Sequence, residues 1–187
     1  KDFGEEAQAA EAGRWAATIK RHYRDTFLTD NGWLAGGGGK ENQLHDYGFL
    51  AVNGLAVSWG LLEGGEERTA MEKLYHALLA SGFDSFDLGL PGNVMEIDGG
   101  DLALAQRDLP FGGYQNAGTT LSQSRHFING LYAVGMEKQA DAILYEISKG
   151  LLFNQVVSGT TSGMDWRAWD GTPSGYEGIL CDQFGVF

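Results

Sequence analysis

The sequence predicts an all-α fold, about three of the six helical hairpins of an (α/α)6 toroid joined by long glycine-rich loops. Three observations predict it. Segments that are apolar on every side alternate with segments that are apolar on one face. Twenty-nine Gly against three Pro mark long loops between them. Three similar turns, His45-Asp46-Tyr47-Gly48, Gly113-Tyr114-Gln115-Asn116 and Gly175-Tyr176-Glu177-Gly178, recur at a spacing of roughly sixty-odd residues, each ahead of an apolar segment. A hairpin of that size cannot bury its inner helix alone, so stacked hairpins either continue as a solenoid or close into a ring. Inner helices apolar all round favour the ring. This chain supplies about half of one, so residues 1–187 are read as a single partial domain of a longer protein. Its start at Lys1 without Met and its end inside an apolar run at Phe187 point the same way.

Taken in order, Trp15, Ile19, Tyr23 and Phe27 fall four apart between Glu5 and Phe27, with Lys20, Arg21 and Arg24 between them, which predicts a helix with one apolar stripe. Thr29 to Glu41 holds Asp-Asn-Gly and then four glycines and predicts irregular structure. Phe49 to Leu62 is apolar nearly all round and predicts a buried helix, ended by Gly64-Gly65. Glu66 to Leu79 puts Met71, Leu74, Tyr75 and Leu78 on one side and charges on the other, an outer helix. Gly82 to Gly118 is a long loop of functional length in which only Val94-Met95 and Ile97 suggest a strand. Thr119 to Val134 predicts a helix with Leu121, Phe127, Ile128, Leu131 and Tyr132 inward. Lys138 to Phe153 predicts another, with Ala140, Ile143, Leu144, Ile147 and Leu151 in register. Ser158 to Gly175 is a polar loop before a last apolar segment from Tyr176.

Composition removes several function classes. No apolar run reaches the roughly 20 residues of a membrane helix, so no membrane partner is expected. Thirteen basic against twenty-five acidic residues give a formal charge of −12 with no Lys/Arg cluster, which excludes tracking of a phosphate backbone and predicts no nucleic-acid partner. Cys181 stands alone and makes neither an internal disulfide nor a structural zinc site. His45-Asp46 lacks the spaced ligands of a metal centre, and His22, His76 and His126 fall in helices. The acidic loop with Asp84, Asp87, Glu96, Asp98, Asp101 and Asp108 lacks EF-hand spacing and reads as a solvated loop. Gly36 to Gly39 with Lys40 lacks the strand and the Ser/Thr of a phosphate cradle and reads as a lid or turn. No metal and no cofactor is expected. Location is left open, with periplasm or secretion slightly favoured.

Loops that precede inner helices collect at one end of a ring, and these loops carry the unusual residues. Trp33, Trp166 and Trp169 offer flat apolar plates with one donor, suited to a sugar face, or else pack their loops onto the ring. Met164 to Gly178 crowds three carboxylates with Arg167, Trp166, Trp169 and Tyr176 at a predicted helix start. Glycosidic hydrolysis needs two carboxyl groups in different environments, and a helix N-terminus favours an ionised Glu177. The plainer reading is that Glu177 complements the helix dipole and Asp170 caps a turn.

The stretch Pro110 to Gly118, PFGGYQNAG, followed by a helix pair, resembles the YQNG-type turn of the six-hairpin glycosidase superfamily, the (α/α)6 glycoside hydrolases of debranching, rhamnosidase and trehalase-like type. Trp169 to Gly178, WDGTPSGYEG, is similar to the WD-x-P-x-G-W loop of trehalase-like members, with the spacing one residue off and Tyr176 in place of Trp. Gly32 to Ala35 and Leu44 to Ala56 resemble a late hairpin of bacterial members. The resemblance implies a glycoside hydrolase acting on an oligo- or polysaccharide by an inverting, two-carboxylate mechanism. It implies that Tyr114, Gln115 and Asn116 border the sugar and that Trp169 and Asp170 bind its hydroxyls. Trp33, His45, Tyr47, Trp166, Arg167 and Tyr176 complete the expected substrate-binding set. Glu177 or Asp170 is the expected carboxylate near the C-terminal end, with Asp46 or a residue of the missing hairpins across from it. The expected partners are a carbohydrate and the remainder of the parent chain. Two alternatives stay open: a polysaccharide lyase on the same toroid using Tyr47 and His45, for which Arg107, Arg125 and Arg167 are few, and a non-catalytic helical-repeat module binding glycan or protein.

Overall fold

A computed structural model describes residues 4–38, 43–103, 107–150, 152, 166–172 and 174. Five α-helices run through them: α1 (Glu6–Phe27), α2 (Leu50–Ser58), α3 (Glu66–Ala80), α4 (Leu121–Ala133) and α5 (Glu137–Lys149). Three two-residue strands, β1 (Leu90–Pro91), β2 (Thr119–Thr120) and β3 (Trp166–Arg167), form an antiparallel sheet in the order β1-β2-β3. Leu90 faces Thr120, and Thr120 faces Trp166. The fold is therefore helix-rich but mixed, which corrects the all-α expectation. The strand suggested around Val94 to Ile97 also forms earlier, at Leu90–Pro91. Val94 and Met95 both donate their backbone N–H to the single carbonyl of Tyr47, at 3.1 Å each, which leaves no ladder there to build.

The two hairpins α2–α3 and α4–α5 follow from the predicted alternation. Helix α2 buries Leu50, Asn53, Gly54, Ala56 and Val57, but Ala51, Val52 and Leu55 on its other side are only partly buried, which corrects the expectation of burial on every side. Helix α3 buries Ala70, Met71, Leu74 and Leu78 on one face, and α5 does so with Ala140, Ile143 and Ile147. The inner helices α2 and α4 touch backbone to backbone. A Cβ on Gly54 would lie 2.1 Å from the His126 carbonyl oxygen, and one on Gly130 would lie 2.8 Å from the Gly54 Cα. Only glycine permits that approach.

Both inner helices start against the same stretch of chain. Leu50 donates its N–H to the Gly92 carbonyl at 3.2 Å, and Gly92 donates to the carbonyl of Gly118, three residues before α4, at 3.1 Å. Helices α2 and α4 thus run in the same sense with their N-termini at one end. Buried side-chain amides join the loops there. Asn53 accepts from the Leu34 N–H at 2.7 Å and donates to the Leu34 and Phe49 carbonyls at 2.9 Å each. Asn93 accepts from Ala117 N–H and donates to the Met95 carbonyl, both at 2.8 Å. A buried amide so satisfied fixes loop geometry at little cost, whereas an unpaired one would destabilise it.

Two further expectations about burial change. Helix α1 forms as predicted, but it buries no residue, and Trp15 and Ile19 are 63% and 53% exposed; only Tyr23 and Phe27 reach the core. Tyr132, expected inward on α4, is exposed and donates its hydroxyl to Asp141. The apolar segment from Tyr176, with Glu177, lies outside the described residues.

Candidate functional site

A cleft of about 670 Å³ opens at the end where α2 and α4 begin. Its apolar wall comes from the first turns of α2 (Ala51, Val52, Leu55) with Phe49, Ile97 and Leu102. Its polar wall comes from the loops: His45 and Tyr47 before α2, Asp101 in the long middle loop, Gln115 before α4, Gln123 and His126 on α4, and Trp166 in β3. An apolar surface with a few convergent polar groups is the usual form of a small-molecule site.

Among the described residues, Asp101 is the carboxylate of this cleft. Its Oδ2 accepts from the Tyr47 hydroxyl at 2.6 Å and lies 2.8 Å from His45 Nδ1. The Tyr47 hydroxyl itself accepts from the Asp98 backbone N–H at 3.3 Å. The donors Tyr47 and then His45 hold the Asp101 carboxyl below its ordinary value. Partial burial, with Asp101 beside it, pushes the Tyr47 phenol up, so it stays protonated. Across the cleft, desolvation on α4 and the neighbouring Arg125 push His126 down toward neutral imidazole. The sequence offered Asp101 only as one of several acids in a loop taken to be solvated. The clue was Asp98-Gly99-Gly100-Asp101, whose backbone turns through an Asp101 N–H to Asp98 carbonyl bond of 2.8 Å and lifts Asp101 toward the His45–Tyr47 loop.

The expected site residues fall into three groups. His45, Tyr47, Gln115 and Trp166 line the cleft, brought there from three separate loops. Tyr114 lies just behind them, edge to face with Trp166 at 5.5 Å, in a turn where Tyr114 and Ala117 both take left-handed backbone (φ 37° and 66°). That strain is sustained by the surrounding bonds, including Tyr114 N–H to Ser174 Oγ at 2.7 Å, and it projects Gln115 outward between the two strained residues.

A second group is structural. Asp46 accepts from Trp33 Nε1 at 2.5 Å through one oxygen and from Asn31 at 2.9 Å through the other. It does not line the cleft, and its geometry is that of a loop brace. Trp33 is buried on that brace. Asn116 is buried, accepting from Ile97 N–H at 2.9 Å and donating to the Leu109 carbonyl at 3.1 Å. Trp169 packs edgewise on Phe83 and Phe111 and donates its indole N–H to the Ala117 carbonyl at 2.6 Å. Arg167, in β3, is buried. Asp170 is exposed and closes a turn, accepting from the Thr172 N–H at 2.9 Å and from its hydroxyl at 2.7 Å. Those bonds lower its carboxyl. The plainer reading of Asp170 thus describes its place. The third group, Tyr176 and Glu177, lies outside the described residues.

Comparison with protein-family models, curated proteins and solved structures finds no match to this chain. Among the described residues, no three His, Cys, Asp or Glu side chains are grouped to hold a metal ion. No helix among them is long and apolar enough to cross a membrane.

Proposed function

We propose that this chain forms the loop end of an (α/α) toroid and is part of a glycoside hydrolase acting on an oligo- or polysaccharide held in the cleft. One observation carries the reading: His45, Tyr47, Gln115 and Trp166, singled out on separate loops for a sugar site, meet around one hollow. The hollow suits a pyranose chemically. Trp166 and Phe49 supply flat apolar surface, while the Gln115 and Gln123 amides and Asp101 supply donors and acceptors for hydroxyls. The ring is supported by inner helices that run in the same sense and begin at the cleft, which is how a closed array would present its loops to a common mouth. The inverting mechanism then requires a second carboxyl group roughly 6.5–9.5 Å from the first, supplied by Glu177 or by the remainder of the parent chain.

The test is a hydrolysis screen of the full chain on neutral oligosaccharides and nitrophenyl glycosides, with Trp166→Ala and Gln115→Ala alongside. Turnover in the wild type that falls at least tenfold in kcat/KM in both variants is the expected result. Turnover indifferent to both would remove the cleft from the reaction. A polysaccharide lyase is the second reading, favoured by the meeting of Tyr47 and His45 on one carboxylate. It predicts a product with the ultraviolet absorbance of an unsaturated uronate.

A further inference from the structure

Seven side chains of the polar wall, among the described residues, can exchange protons or hydrogen-bond a ligand, and one of them is a carboxylate held by two side chains. Asp101 reaches the cleft from a loop with no element of its own, yet Tyr47 and His45 fix it from the opposite strand of chain, both on Oδ2. Among the described residues Oδ1 has no hydrogen-bond partner, and the side chain is 29% exposed. A structural carboxylate brace looks different in this same molecule. Asp46 spends both of its oxygens on Asn31 and Trp33 and does not line the cleft. Asp101 spends one, and the residue lines the cleft.

We propose that Asp101 is a catalytic carboxylate of this site, the general base that receives a proton from the water attacking the glycosidic carbon. The proposal rests on the glycoside hydrolase reading above. In the step, a water O–H bond breaks as its proton passes to Oδ1. The water oxygen bonds to the anomeric carbon from the face opposite the leaving group. The glycosidic C–O bond breaks with its electron pair on the departing oxygen, which is protonated by a carboxylic acid across the cleft. Tyr47 and His45 are positioning residues, acting on the reaction through Asp101: with Oδ2 committed to them, the ionised group has one oxygen and one orientation left for water.

The experiment uses the full chain and the glycoside on which the wild type turns over. Asp101→Asn should lower kcat by about 10²–10⁴, the usual worth of a general base, while affinity for the same glycoside by calorimetry stays within roughly threefold. Sodium azide added to Asp101→Ala should restore turnover and yield a glycosyl azide of inverted configuration, which a variant that merely failed to fold could not do. Tyr47→Phe should move the acidic limb of the kcat/KM profile upward in pH, toward the ordinary carboxylate range, as the first of the two donors is lost. Asp101→Asn turnover within tenfold of wild type, in a variant that binds the glycoside, overturns the inference and leaves the glycosidase reading standing. A wild type that neither binds nor cleaves any glycan of the screen defeats that reading and the inference with it.

Discussion

Asp46 braces its loop through Trp33 and Asn31, so its removal leaves the indole N–H of a buried tryptophan without an acceptor. An unsatisfied buried donor costs about 1–3 kcal/mol, and Asp46→Ala should lose that much stability by urea denaturation, whereas Asp46→Asn, which keeps an acceptor, should lose less. Asp101 behaves differently because its bonds depend on charge. Its carboxyl is held below the unfolded value of about 3.9, so the tether it makes to Tyr47 and His45 is fully present above that value. It is lost only as pH falls through the lower folded value. Amide exchange in residues 97–103, corrected for intrinsic rate, should therefore be constant from about pH 7 to 5 and rise only below about 4. Asp101→Asn should show the raised exchange at every pH. A rise centred well above pH 5 would mean that the Asp101 carboxyl does not control the tether.

At the scale of the element, the backbone approach of α2 and α4 depends on two glycines, Gly54 and Gly130. A methyl at Gly54 would meet backbone of α4, the His126 carbonyl at 2.1 Å and the Phe127 Cα at 2.6 Å, and neither can swing aside. Gly54→Ala should cost about 1–3 kcal/mol or more by forcing the helices apart, and it should blunt the cleft, whose wall is built on the first turns of the same two helices. Gly13, within α1, is the control. Nothing lies within 4 Å of a Cβ built there, so Gly13→Ala should stabilise by about 0.4–1 kcal/mol through helix propensity alone. Thermal melts of the two variants should move in opposite directions. If Gly54→Ala melts with the wild type, α2 and α4 are not in backbone contact.

For the whole molecule, periodicity made the helices legible because burial of one face or all faces leaves a direct imprint on residue spacing. The sheet left no such imprint: Thr119 and Thr120 are too short a run to alternate, and β1 and β3 are recruited from distant loops by backbone pairing alone. Of the residues whose chemistry marks them for a sugar site, Trp166 and Gln115 line the cleft whereas Trp33, Trp169 and Asp46 do not. Trp33, Trp169 and Asp46 have the chemistry of a sugar site and serve as braces, because the same indole and carboxylate groups also satisfy buried backbone and side-chain donors. Charge, by contrast, needs no geometry to be read. A formal charge of −12 surrounds a cleft whose lining among the described residues includes no Lys or Arg. Such a field repels polyuronates and is indifferent to neutral sugars. Affinity for a neutral oligosaccharide should therefore change little when ionic strength rises from about 0.01 M to 0.15 M, where the Debye length shrinks from about 30 Å to 8 Å. A uronate oligomer of equal length should bind more weakly at the lower salt and recover partly at the higher, in isothermal titration against the full chain. Uronate binding that is tightest at low salt would reverse that electrostatic argument, because it would require cations at the mouth of the cleft, and it would shift the balance from the hydrolase toward the lyase.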